Sequence, residues 1–469
     1  MALLEKISRL PGFRSLLPKR VGDFSRFRHI EPDEDITRPP KTPPREEHIS
    51  PVVLNERNNR TFKKGIALCK PEIQQAIQTA NVNIEWKTDF IRLFSRLERL
   101  PHLQVMQLRP ISLNLTDNEL LTASPFAQQP QSVIFDPEIR FHGTSAQVFP
   151  GMSLTLGKVA AKIPKVQEKT DKPYLNGSSQ LNFAAEAFAL AGEQTLGTPG
   201  LSKFYFLGTQ PSGETVFLME YHDPNSEFSL ADLIPPPDGF SAEEIQVILA
   251  ARQPAVLSKL VQNICLTLSS FHSPQRRRIT ASIDPFDSSL TIQDRPSPNA
   301  SKEELQQLIH RDLKPDNILG NLSGKSTILD LGFASTVLET TSDQQVGTPK
   351  YSSRGEGAAY DINSLALLVH EIITRVNYWQ TAIVPDYLQA MGLTGADLIQ
   401  ALASLPEIQG NLAIDKITAY CQTHRIPSQP LISFFERALP GHGPGYTDAQ
   451  EFAGDFAQAM GQKPSNRVR

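Results

Sequence analysis

The stretch LIHRDLKPDNILG, Leu308–Gly320, crowds Asp312, Lys314, Asp316 and Asn317 between two apolar pairs, Leu308-Ile309 and Ile318-Leu319. Shortly after it, NLSGKSTILDLGFAS delivers Asp330 at the end of an apolar, strand-like run, Ser326–Leu329. Gly332 follows, and a glycine there permits a sharp change of chain direction. Asp312, Asn317 and Asp330 thus form an oxygen-rich set held by a loop and two short strands. Mg²⁺ takes such hard oxygen ligands, few from protein and the rest from phosphate and water. Phosphoryl transfer needs both a metal to neutralise polyphosphate charge and a carboxylate to orient the attacking hydroxyl. The apolar flanks would anchor the loop and hold its charged groups in place.

HRDLKPDN resembles the catalytic loop of the eukaryotic-type Ser/Thr protein kinase family, and DLG stands where that family usually has Asp-Phe-Gly. The resemblance covers roughly residues 132–460. It implies ATP and Mg²⁺ as cofactors and Ser/Thr-bearing proteins as substrates. Asp312 would orient the substrate hydroxyl, Lys314 would lie near the transferring phosphate, and Asn317 and Asp330 would hold the metal. VAAK resembles the strand with the nucleotide lysine, so Lys162 would meet the α/β-phosphates, with Ala160 lining the adenine pocket. Glu186, in FAAEAFAL, would pair with Lys162. At contact distance and an effective dielectric of about 20 such a pair is worth roughly 4 kcal/mol before desolvation, so its main use is to position Lys162. In FLMEYH, Met219 would stand beside the adenine, the backbone of Glu220 and His222 would bond its edge, and Leu319 would pack beneath it. GTPKY resembles the end of an activation segment, with Thr348 facing Asp312 and Lys314. Asp361 would cap the catalytic loop, and His310, Leu331 and Leu190 would form a buried column. Arg311 beside Asp312 implies regulation by a phosphorylated activation-segment residue, with Thr340, Thr341 and Ser342 available.

The chain departs from the family in two places. Where the family has GxGxxGxV, FHGTSAQV offers only Gly143, then Ala146 and Val148. The usual Ala-Pro-Glu after GTPxY is absent, SSRGEG standing instead, and the late arginine that pairs with that glutamate is absent too. Losing both avoids an unpaired buried charge. These departures keep a second reading open: a pseudokinase scaffold that binds nucleotide or partner proteins without catalysis. A third, a small-molecule kinase of the aminoglycoside or choline type, is opposed by Lys314 and GTPKY.

The elements that must position these residues follow from pattern. From about 132, short strand-like runs (SVIFDPEIRFHG, LGKVAAKIP, SKFYFLG, ETVFLMEY) surround one helical stretch, and after about 245 the chain reads as long helices. The expected class is α+β, a bilobal protein-kinase-like fold: a small β-rich N-lobe with one long helix at 132–222 and a large α-rich C-lobe at 223–461. The polar, turn-rich stretch 274–304 reads as a surface insertion in the C-lobe, and its RRRIT is a basic run before Thr280. Residues 1–53 read as a Pro-rich disordered segment, 54–131 as a helical N-terminal extension, and 462–469 as a tail. IEWKTDFIRLFSRLERL places Ile84, Phe90, Ile91, Phe94 and Leu97 at helical spacing.

The 469 residues suffice for two or three domains, while 37 prolines and a hydrophobic share of 39% point to a globular part with extended segments. A net charge of −4 offers no basic domain for nucleic acid. Three widely spaced cysteines fit a reducing, cytoplasmic setting and supply no disulfide framework or clustered zinc site. No run reaches the length of a transmembrane segment. The basic N-terminus, with its Leu and Phe, is a weak candidate for membrane-surface contact, a flexible tail being the plainer reading.

Overall fold

The structure is a computed structural model. It describes residues 51–94, 97–110, 129–142, 146–164, 186–187, 189–194, 196–234, 240–273, 278–283, 290–295, 307–332, 334–336, 348, 350–351, 357–378, 412–440 and 442–462. The chain divides into Met1–Val53 and Leu54–Arg469. Only 51–53 of the first unit are described, as the first residues of a helix. Residues 1–50 of the Pro-rich segment, the activation-segment residues Thr340, Thr341 and Ser342, and Gly143 lie outside the described residues.

Among the described residues three helices come first: α1 (Pro51–Ile66), α2 (Pro71–Ala80) and α3 (Ile84–Leu93). Proline at the first position of α2 is tolerated because its missing N–H would be unpaired there anyway; Asn81 ends the helix in the left-handed region at φ 46°. Asn83 caps α3, its side chain accepting from the Trp86 N–H at 2.8 Å. Buried pairs four residues apart, Ile73/Ile77 and Trp86/Phe90, give each helix one apolar face. The rings of Phe62, Trp86, Phe90 and Phe94 pack at 5.0–6.4 Å. This cluster reaches Ile134 and Met152 of a sheet, and Trp86 Nε1 donates to the Ser153 carbonyl at 2.7 Å.

That sheet has seven strands: β1 (Gln104–Pro110), β2 (Gln131–Phe135), β3 (Phe141–His142), β4 (Ala146–Ser153), β5 (Gly157–Pro164), β6 (Phe204–Thr209) and β7 (Thr215–Glu220). Their order is β2-β1-β6-β7-β5-β4-β3, and a further β2–β4 pairing closes six of them into an antiparallel barrel. The segment 54–131, expected to be helical, therefore also supplies a strand. Alternate side chains fill the barrel: Met106, Leu108, Val133, Phe149, Val159, Ala161, Phe206, Val216 and Leu218 form one core. The alternates Ala160, Phe204, Phe217 and Met219 belong to the larger core outside it.

Closure requires backbones to approach closely. A Cβ on Gly208 would stand 2.5 Å from the Arg109 carbonyl, and one on Gly151 would stand 2.7 Å from Val133 Cγ1 and 3.0 Å from the Ile134 carbonyl. These are the β1–β6 and β2–β4 seams. Gly208→Ala is therefore expected to destabilise the protein by roughly 1–3 kcal/mol, the usual range for overpacking. Thermal melting checks this; an unchanged midpoint would mean that the seam opens freely.

The rest is mainly helical: α4 (Ala242–Ala251), α5 (Pro254–His272), α6 (Ala358–Thr374), α7 (Ile414–His424), α8 (Ser428–Ala438) and α9 (Ala449–Ala459). Helix α6 is buried along nearly its whole length. Rings of Phe434, Tyr446, Phe452 and Phe456 knit α8 to α9. Short ladders hold the loops between them: β8 (Phe228–Ser229) pairs with β12 (Ile318–Gly320), which pairs with β13 (Ser326–Ile328). β11 (Leu308–Ile309) pairs with β14 (Ser335–Thr336). Within 274–304, β9 (Arg278–Ile283) and β10 (Leu290–Arg295) form an antiparallel pair, a local structure that the irregular polar pattern did not announce. No helix among the described residues is long and apolar enough to cross a membrane.

Candidate active site

Lys162 lies on β5 in register with Val148 of β4 and Phe217 of β7. The strand's period of two puts it on the same face as Ala160, away from the barrel interior. Glu186 lies on a helical stretch among residues 186–194. Lys162 Nζ donates to both Glu186 oxygens at 2.7 Å and to Asp330 Oδ2 at 3.1 Å. Side-chain exposure is 10% for Lys162, 4% for Glu186 and 32% for Asp330, so Asp330 is the member that opens outward. Gly332 N–H donates to Asp330 Oδ1 at 2.7 Å.

This triad holds two carboxylates to one ammonium. Burial opposes charge on Lys162, but Asp330 and Glu186 outweigh it and raise its pKa. Burial likewise disfavours the Asp330 anion, yet Lys162 and the Gly332 N–H outweigh it and hold its carboxyl below the usual range. Glu186 absorbs the excess: burial, then the Asp330 charge, push it from 4.5 up to about 7 against the pull of Lys162. A carboxyl whose folded pKa is raised keeps a proton that the unfolded chain has released. Its contribution to stability therefore falls as pH rises from 4.5 towards about 7. Between pH 5 and pH 8 the melting temperature of the wild type should fall further than that of Glu186→Gln. Equal slopes would contradict this.

Asp312 lies on the loop after β11, and both its oxygens accept hydrogen bonds. Oδ1 accepts from the Thr348 N–H at 2.8 Å and the Thr348 hydroxyl at 2.7 Å; Oδ2 accepts from Lys314 Nζ at 2.7 Å and Asn317 Nδ2 at 3.2 Å. Lys314 Nζ also reaches the Thr348 hydroxyl at 3.3 Å. Asn317 gives a second bond to the Asp312 carbonyl at 3.0 Å. Its amide NH₂ thus faces Asp312, leaving the carbonyl oxygen Oδ1 as its ligand atom.

Beneath the loop lies Asp361, fully buried on α6. It accepts from the backbone N–H groups of His310 at 2.8 Å and Arg311 at 2.9 Å, and meets His272 Nε2 at 3.0 Å. Burial opposes its ionisation, but His272 and His310 outweigh that and lower its pKa. Arg311 has φ 68°, a left-handed conformation that costs a residue bearing Cβ; the bond to Asp361 fastens it there. His310, Leu331 and Leu190 are all buried, and the His310 ring packs on Phe271.

The remaining expected residues fall as follows. Ala160 pairs with Met219 across β5–β7, and both are buried. Glu220 gives its N–H to the Lys203 carbonyl at 2.8 Å. The His222 ring bridges Glu227 at 2.8 Å and Ser202 at 3.1 Å. Leu319 is half-buried on β12 between Ser229 and Thr327. Sequence reasoning missed His272, and it missed the buried Glu371 on α6, which takes Lys350 Nζ at 2.6 Å and the Tyr351 hydroxyl at 2.8 Å. His370 and Glu371 interrupt an apolar run, and that interruption was their one visible signal.

Residues 305–434 match the family model described as the protein kinase domain. That stretch is similar to the protein kinase domain. The chain is 35% identical over 75 residues to the human cAMP-dependent protein kinase catalytic subunit PRKX, covering 15% of this chain and 21% of that one. It is 31% identical over 113 residues to the Arabidopsis thaliana serine/threonine-protein kinase AtPK2/AtPK19, covering 23% and 22%. With the cAMP-dependent protein kinase catalytic subunit of Dictyostelium discoideum it shares 38% over 74 residues, covering 14% and 11%. The chain thus spans about a quarter or less of these relatives' length. The kinase match contains Asp312, Lys314, Asn317 and Asp330 but begins after Lys162 and Glu186. What joins those two to it is the Lys162–Asp330 contact.

Proposed function

We propose that this protein is an ATP- and Mg²⁺-dependent protein kinase that transfers the γ-phosphate to Ser/Thr hydroxyls of protein substrates. In this reading it has a two-lobed build, the barrel and its helix as one lobe and the helices from 223 to 461 as the other. The observation that carries the reading is Lys162, donating at once to Glu186 and to Asp330, 168 residues away in sequence. That contact sets a nucleotide-type lysine opposite the Asp312 loop.

The residues fit the implied cofactors. The Lys162–Glu186–Asp330 cluster sets two carboxyl groups against one ammonium, and a cation beside Asp330 would favour the ionised form of both. Asp330 is its most exposed member, and Asn317 Oδ1 is a second hard oxygen donor. Asp330 and Asn317 would hold Mg²⁺, which when bound supplies neutralisation of phosphate charge. Lys162, kept charged and fixed by Glu186, would bind the nucleotide phosphates. Asp312 would accept a bond from the substrate hydroxyl and orient it. Lys314, 2.7 Å from Asp312, would stabilise charge on the transferring group. Thr348 touches both and would border the acceptor position. In this reading Arg311 would receive a phosphorylated activation-segment residue.

The test is incubation of purified protein with γ-labelled ATP, Mg²⁺ and a protein substrate mixture, beside Lys162→Ala and Asp312→Ala. Label on protein Ser/Thr that disappears in both variants supports the reading. Nucleotide-dependent thermal stabilisation without transfer would replace it by the scaffold, and label on a small sugar or amine by the small-molecule kinase.

A further inference from the structure

We infer that Lys350 is a positioning residue for phosphoryl transfer: its ion pair with Glu371 fastens the turn closed between Thr348 and Tyr351 and, through that turn, holds Asp312; this rests on the kinase reading above. Lys350 Nζ stands 2.6 Å from Glu371 Oε1, and the Tyr351 hydroxyl donates to Glu371 Oε2 at 2.8 Å. Both carboxylate oxygens are thus engaged by adjacent residues of one short stretch. The Glu371 side chain is 6% exposed and that of Lys350 36%, so the carboxylate is set in the protein body and the lysine reaches it from the surface. The Lys350 ammonium also lies over the Tyr351 ring, 5.3 Å from its centre. A cation is attracted by the face of a ring, so Lys350 holds Tyr351 both directly and through Glu371. Burial, then the Glu371 charge, raise the pKa of Tyr351 and keep its hydroxyl a donor.

From this pair the contacts run unbroken to the site. The Tyr351 N–H donates to the Thr348 carbonyl at 2.9 Å, which ties the two residues together. Thr348 gives its N–H and its hydroxyl to Asp312 Oδ1, at 2.8 Å and 2.7 Å. One end of the turn is therefore fastened to Glu371 and the other to Asp312. Glu371 lies on α6 ten residues after Asp361, about 15 Å along the helix axis. Asp361 holds the Asp312 loop through the N–H groups of His310 and Arg311. One buried helix thus supports Asp312 twice, through the loop and through the turn. Among the described residues, Lys350 is the cation paired with Glu371. The chain lacks the Ala-Pro-Glu glutamate and its late arginine; Lys350 and Glu371 supply an ion pair of the opposite polarity, with the cation on the segment and the anion on the helix. Removing the Lys350 charge leaves a buried carboxylate without its counter-ion and the turn without the partner that orients it.

Lys350→Ala, Lys350→Arg, Glu371→Gln and the double variant Lys350→Ala/Glu371→Gln are compared with wild type in the full chain, below the melting temperature of each. The readouts are label transfer from γ-labelled ATP to the protein mixture, binding of a fluorescent ATP analogue with Mg²⁺, and thermal melting. Lys350→Ala should lower the transfer rate at saturating ATP by roughly tenfold, the scale of one charge-assisted bond. Its nucleotide Kd should stay within about twofold, because Lys162, Glu186 and Asp330 keep their bonds to one another. Lys350→Arg, which restores the charge, should recover most of the rate. The double variant should be no slower than Glu371→Gln, since both changes break one pair. In an Asp312→Asn background Lys350→Ala should cost no further rate, because it acts through that carboxylate. A wild-type rate in folded Lys350→Ala, with only a lower melting temperature, would overturn the inference. So would a rise in nucleotide Kd that accounts for the lost rate, or a loss as large in Lys350→Arg. If the wild type and Lys350→Ala transfer label equally, this inference alone falls; if the wild type transfers none, the kinase reading falls and this inference with it.

Discussion

Asp312→Asn should lower phosphoryl transfer by roughly 10²–10⁴-fold, the range spanned by loss of a positioned general base. Four donors converge on this carboxylate: the N–H and hydroxyl of Thr348, the ammonium of Lys314 and the amide of Asn317. An ionised carboxylate accepts all four; an amide of the same outline must present an NH₂ to two of them. Lys314 then loses its counter-charge, and the substrate hydroxyl loses the oxygen that would take its hydrogen bond. Lys162, Glu186 and Asp330 are unaffected, so nucleotide affinity should remain within a few-fold of wild type. Single-turnover rates and nucleotide Kd measured on the same preparation separate the two. A variant that retains a tenth or more of the wild-type rate would remove Asp312 from its proposed role.

The largest effect on stability is expected at Asp361. Replacing it by alanine strands the N–H groups of His310 and Arg311 and the Nε2 of His272, all held by this one buried carboxylate. Breaking a buried charged network of this kind costs about 3–5 kcal/mol, and at 2–4 °C per kcal/mol the melting temperature should drop by roughly 10 °C. Arg311 also loses the bond that fastens it in its left-handed conformation, so activity should fall more than the folded fraction does. The acid side follows from the same bonds. The folded pKa of Asp361 lies below its unfolded value, so its contribution is fully present above 3.8 and is lost as pH falls through the lower folded value. Asp361→Asn should therefore resist acid unfolding relative to its own neutral stability. Thermal melts across pH test both statements.

The residues that sequence alone brought forward are those whose neighbours in the chain are also their neighbours in space. Asp312, Lys314 and Asn317 sit within six positions, and their bonds to one another are nearly dictated by that spacing. Asp330 was legible because it ends an apolar strand run, and Lys162 because VAAK resembles a kinase strand motif. The barrel was not legible as a barrel. QVMQLRP buries Met106 and Leu108 and leaves Gln107 exposed, a strand signal of period two, but it follows a strongly helical stretch and was read as part of it. Its partner strands are distant, so nothing local indicates closure. His370 and Glu371 look like interruptions of an apolar helix. Tertiary partners, the Leu412 carbonyl for one and Lys350 and Tyr351 for the other, are what make their burial tolerable.

The barrel's closure has a consequence for the order in which the chain acquires its shape on the ribosome. β1 is synthesised early, yet its outer neighbour β6 arrives about one hundred residues later, Arg109 pairing with Thr209 and Pro110 with Gly208. Until that stretch emerges, Met106 and Leu108 have half of their cavity missing and one strand edge lies open. Slow translation upstream of Phe204 should therefore prolong exposure to self-association, and a chaperone that shields the Gln104–Pro110 edge should raise the yield of native protein.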